Sequence, residues 1–367
     1  MEMNTRIQVE HPVTEDITGL DLVEWQLLAA AGQTLPKTQK DIQACGHAIE
    51  VRLYAEDTDQ GFLPQTGTLR HLSFAQGEDI RIETGVTEGD DISSHYDPMI
   101  AKIIAKGPTR EQALGTLKQA LQNTHVAGVT TNLAYLRRAV GHVDFAKAKL
   151  TTKFLDIHQK DMAPASHPDI YPLAAACVLA NRKQHATLDP WGNANLFRLN
   201  SFATETLRFK TASDPEALTL THTSPNTFKA GKKEVKFKGT GNELNVTIDE
   251  KSYLITAHYI SDDIWLDDGL NTIVITPHNP TLEAEQAEVD IGSLTAPTTG
   301  MVVKISAKDG QSVAEGAELV IMEAMKTEYR ITAPVQGTVE KVLCTKGDHV
   351  EKDAILIQFT PQEDASA

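Results

Sequence analysis

The first ten residues place five chemically capable side chains at every second position. They are Glu2, Asn4, Arg6, Gln8 and Glu10. Successive side chains of an extended segment point to opposite faces, so all five would share one face of a strand. Such a row of carboxylates, amides and a guanidinium is capable of ionic and acid–base chemistry. An amphipathic strand that simply faces solvent has the same pattern, so periodicity alone leaves both interpretations open.

A second chemical group is found near the other end of the chain, at Lys326. It lies in the polar stretch 323–328, between an apolar run at 319–322 and a strand-like run at 329–333. An apolar run, a short polar tip and a second run are typical of a β-hairpin. A lysine at such a tip is presented to solvent and to any enzyme that recognises the hairpin.

An internal repeat surrounds this hairpin, with an offset of 37 residues from Ala296-Pro297 to Ala333-Pro334. Other equivalent pairs are Gly300 and Gly337, Val302 and Val339, Gly310 and Gly347, Val313 and Val350, and Leu319 and Leu356. Neither half could bury its apolar face alone, so the repeat predicts a flattened barrel with two-fold pseudosymmetry. The lysine hairpin occurs only in the first copy, which indicates a dedicated function.

The tripeptide Ala324-Met325-Lys326 within this repeat resembles the biotin-attachment site of biotin carboxyl carrier domains. The resemblance implies that Lys326 carries biotin through an amide bond, which removes the lysine charge and extends a ureido ring on a flexible arm. An ordinary surface lysine and a lipoyl domain, which shares the fold, are the alternatives. A lipoyl tip usually reads Asp-Lys-Ala, whereas Met325 precedes the lysine here. The biotin family often has Met after the lysine, and this chain has Thr327.

The stretch from Glu2 to Glu15 resembles the signature of biotin carboxylase, an ATP-grasp enzyme. Carried over by position, the resemblance implies that Glu2 and Asn4 ligate Mg²⁺ (or Mn²⁺) on ATP. It implies that Arg6 stabilises the reacting anions and the biotin enolate. It further implies that Gln8 and the Val9 backbone hold bicarbonate and that Glu10 is the general base. Oxygen ligands of this kind suit Mg²⁺.

Two further alternating stretches follow. Glu50 and Arg52 share a face of the first, and the sequence favours a structural ion pair between them. In the second, the resemblance assigns Arg81 to bicarbonate and biotin, with a strand-surface arginine as the alternative. Asp97 and Lys102 also match the family, and we expect Asp97 to shape the biotin pocket without acting in catalysis.

Helices are predicted after these strands. Thr109-x-x-Gln112 is a capping box, and a second helix is expected near 133–140. The apolar stripe of the first helix is Ala113, Leu114, Leu117 and Leu121. The resemblance to biotin carboxylase fades around 154–157.

The middle of the chain predicts a helix at 173–181, then short strands with turns at Asp249-Glu250 and Asp268-Gly269. This region resembles the domain that joins carboxylase and carrier in acyl-CoA carboxylase α-subunits. The resemblance rests on a helix followed by an antiparallel barrel, and on the motifs Asp-Pro-Trp at 189–191 and Arg-Leu-Asn at 198–200. This resemblance implies binding of a carboxyltransferase β-subunit. An unrelated β-barrel is the alternative.

The fold class predicted from these features is multidomain α+β. The first domain is expected to be the C-terminal remnant of an ATP-grasp biotin carboxylase. A joining domain, built from a helix and an antiparallel β-barrel, and an all-β flattened-barrel biotinyl domain are expected to follow. The predicted bounds are 1–160 for the C-terminal part of the biotin carboxylase domain, 161–290 for the joining domain, 293–361 for the biotinyl domain and 362–367 for a tail. The acidic stretch 280–295 reads as a flexible tether between two of these domains.

Composition narrows the class of protein. The formal net charge of −16 argues against nucleic acid or an anionic membrane as a partner. The sequence contains no apolar run of about 18 residues, so no transmembrane helix is expected. Cys45, Cys177 and Cys344 lack a CxxC spacing and read as unpaired thiols of a reducing compartment.

The order of carboxylase, joining barrel and carrier resembles the C-terminal part of the α-subunit of a biotin-dependent acyl-CoA carboxylase, most of all the 3-methylcrotonyl-CoA type. Propionyl-CoA, acetyl-CoA and geranyl-CoA carboxylases are close alternatives. The resemblance implies ATP, Mg²⁺, bicarbonate and biotin as cofactors and substrates, and biotin protein ligase and a carboxyltransferase β-subunit as partners. It implies a bacterial cytoplasm or, in a eukaryote, the mitochondrial matrix.

The sequence contains no glycine-rich phosphate loop. We therefore expect a truncated start, and no ATP-dependent carboxylation of biotin by this polypeptide alone. A non-catalytic carrier and docking module is the second class of function that stays open.

Overall fold

The computed structural model describes residues 3–164, 170–185, 201–210, 216–278, 293–324 and 327–361. Two compact units emerge from its packing. The first unit comprises residues 1–54, 69–90 and 99–277, and the second comprises 55–68, 91–98 and 278–367. Neither unit follows the predicted domain bounds, which stay predictions.

Helices form at the three predicted places, after Thr109, near 133–140 and around 173–181, and also at places that were not predicted. The helical elements are α1 (His11–Thr18), α2 (Leu22–Ala30), a 3₁₀ turn (Gln39–Asp41), α3 (Arg110–Gln122), α4 (Leu133–Gly141), α5 (Val143–Ala146), α6 (Phe154–Ile157) and α7 (Ile170–His185). Thr109 caps α3, and both hydrogen bonds of the predicted capping box with Gln112 are present. The predicted apolar stripe of α3 is buried. In the described part of the chain, no helix has the length and apolar character needed to cross a membrane.

The strand expected at the N-terminus is not observed in residues 3–10. The chain instead turns at Glu10 and enters α1, with Pro12 in the first helical turn. The His11 N–H donates to the Gln8 carbonyl at 3.2 Å, and the Val13 N–H donates to the Glu10 carbonyl at 3.1 Å. Alternation alone does not make a strand, because a strand also needs a neighbour that completes its hydrogen-bond ladder.

A three-stranded antiparallel sheet forms the centre of the N-terminal half. The strands of this half are β1 (His47–Tyr54), β2 (Glu56–Asp57), β3 (Leu63–Pro64), β4 (Gly67–Thr68), β5 (His71–Ser73), β6 (Ile80–Thr84), β7 (Asp91–Ile92), β8 (Met99–Gly107) and β9 (His125–Ala127). The sheet order is β1-β8-β6. Val51 and Ile103 face the core on one side of this sheet, and charged residues occupy the other.

The next region is an eight-stranded antiparallel meander that closes on itself. Its strands are β10 (Ala203–Phe209), β11 (Glu216–Ser224), β12 (Thr227–Ala230), β13 (Lys233–Thr240), β14 (Glu243–Ile248), β15 (Lys251–Ile260), β16 (Asp263–Asp267) and β17 (Thr272–Ile275). A bridge between Phe209 and Pro277 joins the first strand to the segment after the last. Because α7 is buried among these strands, on faces that include Ala175 and Cys177, the predicted helix-plus-barrel architecture is confirmed.

A buried ion pair anchors the barrel to α4 within the first unit. Arg137, 3% exposed, donates to both carboxylate oxygens of Asp267 in β16, at 2.7 and 3.0 Å. Its Nε and Nη2 atoms also donate to the carbonyls of Leu121 and Thr124, at 3.0 and 3.1 Å. Four hydrogen bonds therefore stabilise the buried Arg137 guanidinium.

The C-terminal region is a sandwich of two four-stranded sheets. Its strands are β18 (Ser293–Thr295), β19 (Gly300–Ile305), β20 (Ser312–Val313), β21 (Glu318–Ala324), β22 (Thr327–Thr332), β23 (Gly337–Val342), β24 (His349–Val350) and β25 (Ile355–Pro361). The sheet orders are β18-β25-β23-β20 and β22-β21-β19-β24. Strands β19, β20 and β21 recur 37 residues later as β23, β24 and β25, so the repeat and its pseudosymmetry are confirmed.

The three cysteines are unpaired, as predicted. Cys45 is exposed, whereas Cys177 and Cys344 are buried. Burial raises the pKa of the Cys177 thiol far above its usual range, so this thiol is an inert part of the barrel core.

Candidate functional site

The sequence-predicted carboxylase residues are found around one charged face of the three-stranded sheet. Register pairs Arg52 of β1 with Lys102 of β8, and Lys102 with Glu83 of β6. The neighbouring row runs from Glu50 through Ile104 to Arg81. Residues paired directly across strands project to the same face. We call Glu50, Arg52, Arg81, Glu83 and Lys102 the charged face.

The turn before α1 contacts this face through two residues. The Arg52 Nη2 atom forms a hydrogen-bonded ion pair with Glu10 Oε1. Lys102 Nζ donates to the Val9 carbonyl at 3.3 Å. The backbone turn and the predicted base are therefore both held by cations from the sheet.

Arg81 is the centre of a carboxylate cluster. Its Nη2 atom lies 2.9 Å from Glu15 Oε2 and also contacts Glu83, and its Nη1 atom lies 3.7 Å from Asp16 Oδ1. Burial of Glu83 opposes its ionisation, but hydrogen bonds from Lys102 and attraction to Arg81 hold the pKa of Glu83 below its usual value. The cluster therefore keeps Glu83 charged and Arg81 fixed.

The predicted ion pair between Glu50 and Arg52 is not observed. Arg52 pairs with Glu10, and both carboxyl oxygens of Glu50 are buried without a hydrogen-bond partner. Burial, supported by repulsion from Glu10 and Glu83, raises the pKa of Glu50 to about 7, although Lys102 and Arg52 oppose the shift. The prediction failed because Arg52 is long enough to reach the turn before α1. A carboxyl group that titrates near neutrality is suited to giving and taking protons.

A cavity of about 620 Å³ opens beside the turn before α1. Arg6, Gln8 and Glu10 line it, together with apolar side chains that include Trp25 and Leu35. The structure therefore brings three of the predicted carboxylase side chains to one concave surface. Concave sites with a few convergent polar groups are the usual form of small-molecule sites.

The predicted hairpin is confirmed in the second unit. Strands β21 and β22 pair from Glu318 opposite Thr332 to Ala324 opposite Thr327. Met325 and Lys326 join the two strands and lie outside the described residues. Only two residues therefore connect the paired ends, which is the shortest common hairpin connection.

A second cavity, of about 480 Å³, lies in this unit. Asp97, His95 and Tyr96 line it together with Glu323 of β21 and His349 of β24. The His95 and His349 rings are 5.7 Å apart. Asp97 thus shares a cavity with a residue of the lysine hairpin, and its role at a biotin pocket stays a prediction.

The remaining predicted residues are less defined. Glu2 lies outside the described residues, as do residues 189–191 and 198–200. Asn4 is exposed and is not among the residues that line the first cavity. Sequence reasoning missed Glu50 and Glu83 as members of the site. The alternation of β1 and β6 was the available signal, because it places both on the face of Arg52 and Arg81.

Comparison with known proteins identifies the regions that carry these sites. The family described as "Biotin carboxylase C-terminal domain" matches residues 50–157, and "Biotin-requiring enzyme" matches residues 290–359. The family described as "Carbamoyl-phosphate synthase L chain, ATP binding domain" matches residues 1–38. These matches make the chain similar to the C-terminal part of the alpha subunit of biotin-dependent carboxylases.

Its similarity to individual relatives extends over almost the whole chain. It is 36% identical to the mitochondrial methylcrotonoyl-CoA carboxylase subunit alpha of Oryza sativa, over 99% of this chain and 56% of the relative. It is 31% identical to the mitochondrial propionyl-CoA carboxylase alpha chain of Caenorhabditis elegans, over 91% of this chain and 50% of the relative. The chain therefore spans about half the length of the curated relatives that it matches.

Among solved structures, the biotin carboxylase domain of Hydrogenobacter thermophilus 2-oxoglutarate carboxylase, in complex with MgADP, ADP and bicarbonate, is 42% identical. The match covers 45% of this chain and 36% of that chain, with a TM-score of 0.44.

Proposed function

We propose that this chain carries biotin on Lys326 and takes part in its ATP- and bicarbonate-dependent carboxylation, within an acyl-CoA carboxylase of the methylcrotonoyl-CoA type. The observation that carries the proposal is similarity to methylcrotonoyl-CoA carboxylase alpha subunits over 99% of the chain. In this proposal the charged face would serve the carboxylation chemistry and Lys326 would carry the biotin.

The hairpin fits biotin as a covalent group. Pairing of the two strands ends at Ala324 and Thr327, so Lys326 is one of the two residues between the paired ends. Ala324 is 3% exposed, so the strand that leads to the lysine is firmly packed. When attached, biotin supplies a ureido nitrogen that accepts and releases a carboxyl group.

The N-terminal segment fits Mg²⁺-ATP and bicarbonate by the chemistry of its donors. The Glu2 carboxylate and the Asn4 amide oxygen would hold Mg²⁺, which prefers oxygen ligands. Arg6 and Gln8, which line the first cavity, would bind the anions, and the Val9 backbone would hold bicarbonate. Arg81 would stabilise the negative charge that develops during reaction.

Proton transfer is assigned to the carboxylates beside this cavity. Glu10 would take the proton of bicarbonate, with Arg52 holding its carboxylate in position. Lys102 would fix the backbone of the same turn through the Val9 carbonyl. Glu50, with a pKa of about 7 in the same charged face, is suited to relaying the proton away.

The proposed partners are a biotin protein ligase, which would modify Lys326, and a carboxyltransferase beta subunit, which the barrel at 203–277 would help to bind. Leucine degradation is the pathway implied by the methylcrotonoyl-CoA type. We propose the mitochondrial matrix as location in a eukaryote and the cytoplasm in a bacterium. Propionyl-, acetyl- and geranyl-CoA are alternative acyl groups.

A carrier and docking module without its own ATP chemistry is the second candidate. The sandwich favours it, because its two sheets enclose a separate apolar core that includes Val302, Leu319 and Phe359. Measurable carboxylation of free biotin by the purified chain, with ATP and bicarbonate, would exclude a carrier without its own ATP chemistry.

The central test is avidin capture from the native host. The wild-type chain is compared with Lys326→Ala and with Lys346→Ala, which removes an exposed lysine of the same sandwich. We expect avidin to retain the wild type and Lys346→Ala together with a carboxyltransferase beta subunit, and to release Lys326→Ala. The retained subunit, identified by mass spectrometry, reports the acyl-CoA class.

Failure of avidin to retain the wild type would overturn the proposal, and so would retention of Lys326→Ala. Circular dichroism of each variant establishes that the sandwich is folded before retention is compared.

A further inference from the structure

Two histidines and a carboxylate converge at a place that the proposed function does not use. His142 lies between α4 and α5, Asp144 lies in the first turn of α5, and His158 follows α6. One ligand atom from each lies within 4.8 Å of the others. None of the three belongs to the charged face or lines the two cavities described above.

The separations fit a common metal ion. His158 Nε2 lies 3.5 Å from Asp144 Oδ2. Ligands at about 2.0–2.1 Å from a tetrahedral Zn²⁺ are roughly 3.3–3.4 Å from one another, so this edge needs little adjustment. His142 Nδ1 accepts the Asp144 N–H at 3.2 Å. Metal binding through His142 Nε2 requires the ring proton on Nδ1, so this hydrogen bond would be given up when the ion binds.

A fourth residue orients one of these ligands. Asp161 Oδ2 lies 3.3 Å from His158 Nδ1, so a proton on that nitrogen would be donated to the carboxylate and the Nε2 lone pair would point to the cluster. Metal-bound histidines usually have such a carboxylate on the other ring nitrogen. Asp161 Oδ2 also lies 3.5 Å from His142 Nε2.

The two imidazole rings lie close together, with centroids 4.1 Å apart and an interplanar angle of 46°.

The surroundings hold these side chains in place. His142 is 14% exposed and His158 is 20% exposed. Both rings pack on Phe154, with centroids at 5.5 and 5.0 Å, beside a small core that includes Met162. The ligands are therefore positioned by packing as well as by hydrogen bonds.

We propose that His142, Asp144 and His158 bind a divalent transition metal, Zn²⁺ first of all, with a water molecule as the fourth ligand. Imidazole and carboxylate are ordinary zinc ligands. The ion would tie the end of α4 to the end of α6, across the loop 147–153. Its role is structural, at the segment that leads out of the carboxylase part.

The untagged full-length chain is stripped with a chelator and then dialysed against Zn²⁺, and bound metal is measured by mass spectrometry. Co²⁺ is used as a second probe, because tetrahedral Co²⁺ has an intense visible absorption. We expect one Zn²⁺ per wild-type chain, a tetrahedral Co²⁺ spectrum and a higher Tm with Zn²⁺. His142→Ala and His158→Gln should lose all three signals, and Asp161→Asn should weaken binding by about 10–100-fold.

His71→Ala is the matched control, because His71 stacks on His258 at 4.1 Å and pairs with Glu88 at 3.0 Å. This variant should bind Zn²⁺ like the wild type. Equal binding by wild type and His142→Ala would overturn the proposal, as would a wild type that binds no metal. Asp161→Asn leaves the three ligands in place, so it tests the metal site without the unfolding that removal of a ligand side chain can cause.

Discussion

The β-sandwich and the charged face differ in what decides their geometry. In the sandwich, strands of one repeat recur at a fixed offset in the other, and their apolar residues fill one shared core. On the charged face, geometry depends on which cation reaches which carboxylate, as when Arg52 pairs with Glu10 and not with Glu50.

This difference shows that the burial of apolar residues can be predicted from nearby sequence, whereas the partner of a charged residue cannot. A buried leucine needs only an apolar environment, which any register with the correct face provides. A long charged side chain has several partners within reach, and the choice depends on loops far away in sequence. The three predictions below test this contrast, from the largest expected effect to the smallest.

Arg137→Met should have the largest effect. It leaves Asp267 buried without its cation, and breaking a buried ion pair in this way costs about 3–5 kcal/mol. The free energy of unfolding is measured by urea denaturation. Arg330→Met is the control from the sandwich: Arg330, 68% exposed, lies 3.8 Å from Glu318, and its loss should cost less than about 1 kcal/mol. An equal loss of unfolding free energy in Arg137→Met and Arg330→Met would contradict the contrast between buried and exposed charge pairs.

Leu319→Ala and Leu356→Ala test the symmetry of the sandwich. The two residues are equivalent in the repeat and are 1% and 0% exposed. Each substitution should cost about 2–5 kcal/mol, because it removes buried methyl groups and leaves a cavity. Leu343→Ala, at a residue that is 45% exposed, should change stability by less than about 0.5 kcal/mol. Very different costs for the two leucines would mean that the halves do not share their core equally.

Glu50→Gln should change the pH dependence of stability by a smaller amount. The pKa of Glu50 is raised from 4.5 to about 7, so the folded chain holds a proton that the unfolded chain has lost between these values. Stability should therefore fall as pH rises from 4.5 through 7, by roughly 2 kcal/mol from this group once the pKa difference is discounted for solvent screening of a half-buried side chain. Glu50→Gln should remove that fall and stabilise the chain at pH 8.

Thermal unfolding at pH 5 and pH 8 measures the effect. Glu234→Gln, on a barrel strand with its side chain 47% exposed, is the control and should keep the wild-type profile. A Glu50→Gln profile that also matches the wild type would show that Glu50 is an ordinary solvated carboxylate.

Much of the fold could be predicted from the sequence because its signals are local. The α3 capping box at Thr109, the turn at Asp249-Glu250 and the 37-residue repeat each depend on nearby residues, and all three are confirmed. The strand expected before α1 failed because its alternation had no neighbouring strand to pair with. The orphaned carboxyl of Glu50 could not be predicted, because it depends on a register and a turn that no local pattern encodes.

Closure of the barrel around α7 has a consequence for how the chain reaches its native state. Phe209 and Pro277 meet only after every intervening strand has been made, so the last contact of the barrel is a long-range one. Contacts of high sequence separation form slowly. During synthesis, α7 leaves the ribosome before any strand that will cover it, with Leu173 and Cys177 still in water. The apolar residues of this helix thus stay uncovered until β17 completes the ring.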